Sequence, residues 1–219
     1  MERKSMDLKK TPLILKQTEK LGFRDPAACY HKGTICLYFT MVHQEKRGQY
    51  FSIGMCKSTD LIHWNEPVEL TGKELKEECF GPGNLFFHAG IWYLCMQIRC
   101  RENGERADGK SGRRGRICIM RTGDLEHFEE PVPLEITGED VSAEETADRS
   151  DPYLFRNKDD PEIIWYLYRM NNERLLARSE DLKKWTCVGS VPYEENACVR
   201  RPVQDLSFPG KRHRTAGIR

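Results

Sequence analysis

The chain has 219 residues, 38% of them apolar and 32% charged, with a formal net charge of +1 at pH 7. That balance describes a globular protein with a polar surface and gives no general pull toward nucleic acid or an anionic membrane. No stretch approaches the roughly 18 apolar residues of a membrane span, and the basic start MERKSMDLKKTPLILKQ has no apolar core long enough for a secretory signal. The nine cysteines are odd in number and lack paired spacing, which points to thiols in a reducing compartment, so a cytoplasmic protein is expected. Cys36, Cys56, Cys95 and Cys118 fall in predicted strands and read as small buried hydrophobes. Cys95 and Cys100 have no second pair to complete a tetrahedral set, and neither a metal nor a cofactor is expected.

Residues 1–20 form a polar lead-in, and from residue 21 the chain repeats itself. Block one spans roughly 21–75, block two 76–138 and block three 146–193. Each opens alike: GFRDPAACYHKGTICLYFT, CFGPGNLFFHAGIWYLCMQ and DRSDPYLFRNKDDPEIIWYLYR. These read as a turn with proline, a short strand, a polar turn and a second strand of alternating apolar and aromatic residues. Each block then carries one phrase: Ser58-Thr59-Asp60-Leu61-Ile62-His63-Trp64, Thr122-Gly123-Asp124-Leu125-Glu126-His127-Phe128, and Ser179-Glu180-Asp181-Leu182-Lys183-Lys184-Trp185. The Asp-to-Asp steps are 64 and 57 residues, a spacing that predicts one β-propeller blade per block. The hydroxyl and the Asp are suited to capping the turn after the third strand, with the aromatic returning to pack between blades.

Two segments interrupt the pattern. Arg99 to Arg116 holds seven Arg/Lys and four Gly; without interleaved aromatics it reads as a solvated loop between strands rather than a nucleic-acid patch. The acidic run from Gly138 to Asp148 reads as a linker between blades.

The block openings also carry the candidate chemistry. Glycoside hydrolysis needs two carboxyl groups, an acid for the leaving oxygen and a base or nucleophile opposite. In a propeller such groups come from the innermost strands of different blades. Block one offers Asp25 in Arg24-Asp25-Pro26, block three offers Asp151 in Ser150-Asp151-Pro152, and block two has Asn84 at a comparable place. A fourth block begins at Tyr193 and offers Glu195. A single Asp-Pro can simply start a turn; two at the same point of a repeat, with an acid in a third, carry more.

The order Arg-Asp-Pro, Ser-x-Asp-Leu-x-x-Trp, Asp-Pro, Glu-Asn resembles the five-bladed propeller glycosidases of glycoside hydrolase family 43 and its furanosidase relatives. The stretches FGPGNLFFHAGIWYLCMQ and RICIMRTGDLEHFEEP look most like the arabinosidase-like branch. The resemblance covers about residues 20 to 200. It implies an inverting hydrolysis of arabinofuranosyl or xylosyl bonds on a carbohydrate substrate. By matching motif, Asp25 would be the general base that activates water, Asp151 would orient the acid and raise its pKa, and Glu195 would be the general acid. Arg24 and Asn84 would shape the sugar site. Two other readings stand beside it: a non-catalytic carbohydrate-binding propeller or inactive remnant, and a glycoside phosphorylase of related fold. Sugar, linkage and oligomeric state stay open.

The expected fold is therefore all-β, an incomplete five-bladed propeller with three blades and the start of a fourth over residues 21–200. Five blades of about sixty residues need roughly 300. Residues 201–219 lack the alternation, and codons exist for which the frame one base later reads GRYRIFHSPENGIGLRES, a strand–turn–strand like block one. A frameshift near Val199 or Arg200 would explain that tail, and the nucleotides around codon 200 decide it. A ring that cannot close leaves apolar blade faces in water. The chain as it stands is thus expected to aggregate or fold in part, without measurable glycosidase activity.

Overall fold

The computed structural model describes residues 15, 17–45, 48–71, 78–100, 115–139, 148–170 and 173–191. Those residues build three antiparallel meanders and no helix. The first runs β1 (Leu21–His31), β2 (Thr34–Glu45), β3 (Gly48–Ser58) and β4 (Val68–Glu69). The second runs β5 (Glu78–His88), β6 (Ile91–Cys100), β7 (Gly115–Thr122) and β8 (Val132–Pro133). The third comprises β10 (Arg149–Asn157), β11 (Asp160–Met170), β12 (Glu173–Ser179) and β13 (Trp185–Ser190), with β9 (Ile136–Thr137) added parallel to β13. A single parallel bridge, Phe51 to Cys79, joins the first two meanders into one sheet.

Turn chemistry fixes the register. The β1–β2 and β5–β6 hairpins turn through Lys32-Gly33 and Ala89-Gly90, all four residues at positive φ, as a two-residue turn matched to strand twist requires. The long apolar alternation of each second strand then decides which unit it faces. Tyr38, Ile53 and Met55 of unit one bury against Leu94, Met96 and Met120 of unit two. The opposite face of unit two, with Cys95, Ile117 and Ile119, buries against Tyr166, Ala177 and Trp185 of unit three. Fully burying one such side chain contributes about 1.5–3 kcal/mol, so these two interfaces hold the units in sequence order. Cys36, Cys56, Cys95 and Cys118 are all buried, as the strand pattern implies.

The repeated phrase folds identically three times. Ser58 Oγ accepts the Asp60 and Leu61 N–H groups at 3.2 and 2.8 Å, and Asp60 Oδ1 accepts those of Ile62 and His63, both at 2.8 Å. Thr122/Asp124 and Ser179/Asp181 repeat the arrangement. These bonds hold Leu61, Leu125 and Leu182 at φ of 66°, 67° and 61°, a left-handed conformation that a leucine adopts only when its surroundings impose it.

What differs is what each phrase covers. Leu125 lies in the core between units one and two, where Tyr38 Oη donates to its carbonyl at 2.7 Å. Phe128 meets the Tyr38 ring edge-on. Leu182 and Trp185 enter the core between units two and three. The aromatic thus packs between units in two copies. In the first copy Trp64 joins Leu15, Phe23, Phe39 and Met41 on the outer face of unit one, and Leu61 is 55% exposed.

Glu139 corrects the reading of the acidic run as mere linker. Its side chain is buried, bridges Arg149 through both carboxylate oxygens, and accepts the Tyr168 hydroxyl at 2.5 Å. Residues 140–147, the basic insertion over 101–114, and everything beyond 191 lie outside the described residues.

Candidate active site

The first strand of each unit breaks its pairing where the sequence places candidate chemistry, and β10 shifts a second time beside its hairpin turn, between Arg156 and Asn157. On β1 the register shifts between Arg24 and Ala27, on β10 between Ser150 and Tyr153, and on β5 between Pro82 and Leu85. Each is a bulge of two residues against one, a device that re-aims side chains. The pair left over is Asp25-Pro26, Asp151-Pro152 and, in unit two, Gly83-Asn84.

Asp25 and Asp151 share an unusual backbone. Their φ angles are 54° and 53°. A proline disfavours helical geometry in the residue before it, and left-handed φ is uncommon outside glycine. Strain of this sort costs on the order of 1–3 kcal/mol and collects at functional positions. Its effect is to turn both carboxylates out of the strand: their side chains are 49% and 62% exposed.

Each carboxylate is held from one side. Asp25 Oδ2 accepts the hydroxyl of Thr40, itself fully buried, at 3.3 Å, and lies 3.1 Å from Arg24 Nε. The Arg24 guanidinium sits 4.4 Å above the Phe51 ring, which fixes the arginine as well. Asp151 Oδ2 lies 3.4 Å from Arg169 Nε, which donates to Ser150 Oγ at 3.0 Å. The Asp151 N–H donates to Gln97 Oε1 of unit two at 2.9 Å.

Thr40, Gln97 and Arg169 were not singled out from the sequence. Thr40 and Arg169 occupy one position of the repeat, paired with Arg24 and Ser150 just before the bulge, while Gln97 pairs with Gly81, one residue further from the bulge of unit two. The three side chains share no chemistry, so no motif announces them.

Asn84 is brought to the same end of the molecule but is spent on structure. Its Nδ2 donates to the Leu154 carbonyl and its Oδ1 accepts the Leu154 N–H, both at 2.8 Å. The Cys95 thiol donates to the same Oδ1 at 2.9 Å. The carboxamide therefore stands in for a strand neighbour and joins units two and three at their inner edge. Gly83 shows how close that edge is: a Cβ there would lie 2.2 Å from the Pro152 carbonyl oxygen and 2.8 Å from Cys95 Sγ. Gly83 holds the bulge position that Asp25 and Asp151 hold in their units, and no side chain fits there. Strand β5 packs against both β1 and β10, so the two acids flank a unit that supplies a spacer. Glu195 lies outside the described residues.

The carboxylates of the repeated phrase form a separate set, turned away from this edge. Asp60 and Asp124 are held far below the usual carboxylate range, Asp60 mainly by the His63 ring and Asp124 mainly by the His127 backbone N–H. Both are fully engaged in their own turns and act as caps.

Solved structures carry this architecture. The chain aligns with an α-L-arabinanase of Penicillium chrysogenum, complexed with arabinobiose, at a TM-score of 0.57 and 14% identity over 77% of this chain and 46% of that one. A sucrose-6-phosphate hydrolase of Lactobacillus gasseri aligns at a TM-score of 0.58 and 19% identity, over 80% and 35% of the two chains. A family 117 glycoside hydrolase of Zobellia galactanivorans aligns at 0.53 and 16%, over 80% and 59%. At these identities the likeness is one of fold. The chain spans between about a third and three-fifths of the length of such structures. No family model matches the sequence, and no curated protein does.

Proposed function

We propose that the chain is of the five-bladed propeller glycosidase type and serves the hydrolysis of O-glycosidic bonds, with arabinofuranosyl or xylosyl units as the substrate class. One observation carries the reading. Two aspartates stand at the same bulge of the two units that flank unit two, each strained into left-handed geometry before a proline and turned into the open, in a fold shared with enzymes that cleave sugars. In this reading Asp25 is the general base. Thr40 and Arg24 hold its carboxylate so that one oxygen stays free for the attacking water. Asp151 orients the acid and is itself oriented by Gln97 and Arg169. Glu195 is the general acid, at the roughly 6.5–9.5 Å from the base that leaves room for water in an inverting reaction. Arg24 borders the sugar site, and Asn84 serves it indirectly by fixing the edge from which Asp151 projects.

Hydrolysis of 4-nitrophenyl α-L-arabinofuranoside and the matching xyloside, together with calorimetric titration of arabino-oligosaccharides, tests this. Turnover should fall at least about 100-fold in Asp25→Asn and in Glu195→Gln, the scale of general acid–base contributions. Asp151→Asn should lower it chiefly by shifting the acidic limb of the pH profile. Binding without turnover would instead favour a carbohydrate-binding propeller, and turnover that requires phosphate would favour a phosphorylase. Near-wild-type turnover in Asp25→Asn removes the assignment.

A further inference from the structure

Outside the acidic site, one row of side chains combines reactive groups that the sugar chemistry does not use. Cys29 on β1 lies directly opposite Cys36 on β2, and Cys36 lies directly opposite Lys57 on β3. It is the one place among the described residues where pairing sets cysteine against cysteine. Directly opposed residues of an antiparallel pair have Cα atoms about 4.5–5.5 Å apart, within the roughly 4.4–6.8 Å that a disulfide spans. Both thiols are free, Cys36 buried and Cys29 partly exposed on the inner strand.

The row also favours ionisation. The two sulfurs are in hydrogen-bonding contact; Cys29 donates to Cys36 and holds the Cys36 thiol down to about 7, with Lys57 assisting and burial opposing. Cys29 is pushed up by the same bond, so the pair loses one proton readily and the second reluctantly. Transfer of the shared proton moves the charge to Cys29, the less buried residue of the two. Cys56, by contrast, is buried on the opposite face and pushed up to about 11 by its surroundings.

We propose that Cys29 and Cys36 form a reversible cross-strand dithiol that a low-molecular-weight disulfide, such as oxidised glutathione, converts to an intrachain disulfide. The thiolate attacks one sulfur of the glutathione disulfide, forming a mixed disulfide on Cys29 and releasing one glutathione thiolate. The Cys36 thiol then gives up its proton and attacks Cys29 Sγ, expelling the second glutathione thiolate. Two electrons pass from the protein to the oxidant, and the two thiol protons end on two molecules of glutathione. The product locks the β1–β2 hairpin across its Lys32-Gly33 turn, beside the Tyr38 hydroxyl and the Lys57–Glu126 ion pair that tie unit one to the turn of unit two.

The test uses the whole chain under native conditions with oxidised glutathione, followed by alkylation in denaturant, trypsin and mass spectrometry. Cleavage after Arg24, Lys32 and Lys46 separates the two cysteines, so the bond appears as peptide 25–32 linked to 33–46. That link is expected to dominate, to form at least about tenfold faster in the folded than in the urea-unfolded chain, to accelerate as pH rises through about 7, and to reverse with dithiothreitol. Cys36→Ser should leave a stable glutathione adduct on Cys29, whereas Cys29→Ser should leave Cys36 unmodified. Glutathione appearing on Cys79 or Cys187 without the 25–32/33–46 link overturns the proposal. So does a link that forms no faster in the folded chain than in urea.

Discussion

Replacing Leu61, Leu125 and Leu182 by alanine, one at a time, separates what the repeated turn contributes from what packing contributes. All three leucines have φ between 61° and 67° and sit under the same hydroxyl and carboxylate bonds. Alanine keeps the Cβ and hence the backbone strain, so that cost cancels within the series. Only burial differs: Leu125 is 2% exposed, Leu182 9% and Leu61 55%. Truncating a buried leucine costs about 2–5 kcal/mol, and an exposed one changes stability by about 0.5 kcal/mol or less. In a chain of this length each kcal/mol moves the melting temperature by about 2–4 °C. Leu125→Ala should therefore lower it by about 4–20 °C and Leu182→Ala by a similar or slightly smaller amount, while Leu61→Ala stays within about 2 °C. Differential scanning calorimetry, with light scattering to track association, reads the three shifts on one scale. A drop in Leu61→Ala matching that of Leu125→Ala would refute the reasoning, since it would mean that the outer face of unit one is packed in solution. Three equally small shifts would show that the turn leucines do not hold the units together.

Asn84→Ala should cost about 2–6 kcal/mol, because the N–H and carbonyl of Leu154, a fully buried residue, both lose their partner and each unpaired buried group costs about 1–3 kcal/mol. Faster amide exchange at Leu154 with an unchanged exchange pattern in unit one would locate the loss, and a melting temperature within about 1 °C of wild type would contradict it. The Asp124–His127 pair gives a pH signature of two signs. Asp124 is depressed in the fold, so its contribution is present above the ordinary carboxylate value of about 3.9 and is lost as pH falls from there toward the folded value. His127 is raised by Asp124, so its contribution is present below about 6.5 and is lost as pH rises through the raised value. The gap in melting temperature between wild type and Asp124→Asn should therefore be widest between about pH 4 and 6.5 and narrow on both sides; a gap independent of pH would exclude the charge as its source.

The repeat, the strands and the capped turns were legible in the sequence because each rests on local chemistry. The alternation in TICLYFTMVHQE forces a strand with two distinct faces, and a hydroxyl two residues before an aspartate can bond the same backbone groups wherever the phrase occurs. The positions of Asp25 and Asp151 were legible for the same reason, as a fixed distance before each hairpin turn. Which faces meet was not. Leu61, Leu125 and Leu182 are one residue in one motif, and only the neighbouring unit decides that two are core and the third is surface. The same holds at the candidate site. Asn84 reads in sequence as a polar group at a sugar-facing position, but the approach of β10 to within a Cβ radius of Gly83 turns its amide onto Leu154. Thr40, Gln97 and Arg169 share no chemistry, and they become a set only when the bulges bring Asp25 and Asp151 onto them. Glu139 reads as one acid among several in a linker, and the burial that pairs it with Arg149 and Tyr168 comes from a strand beginning ten residues later. Local hydrogen bonding is written in neighbouring residues; burial depends on what another part of the chain brings to the same place.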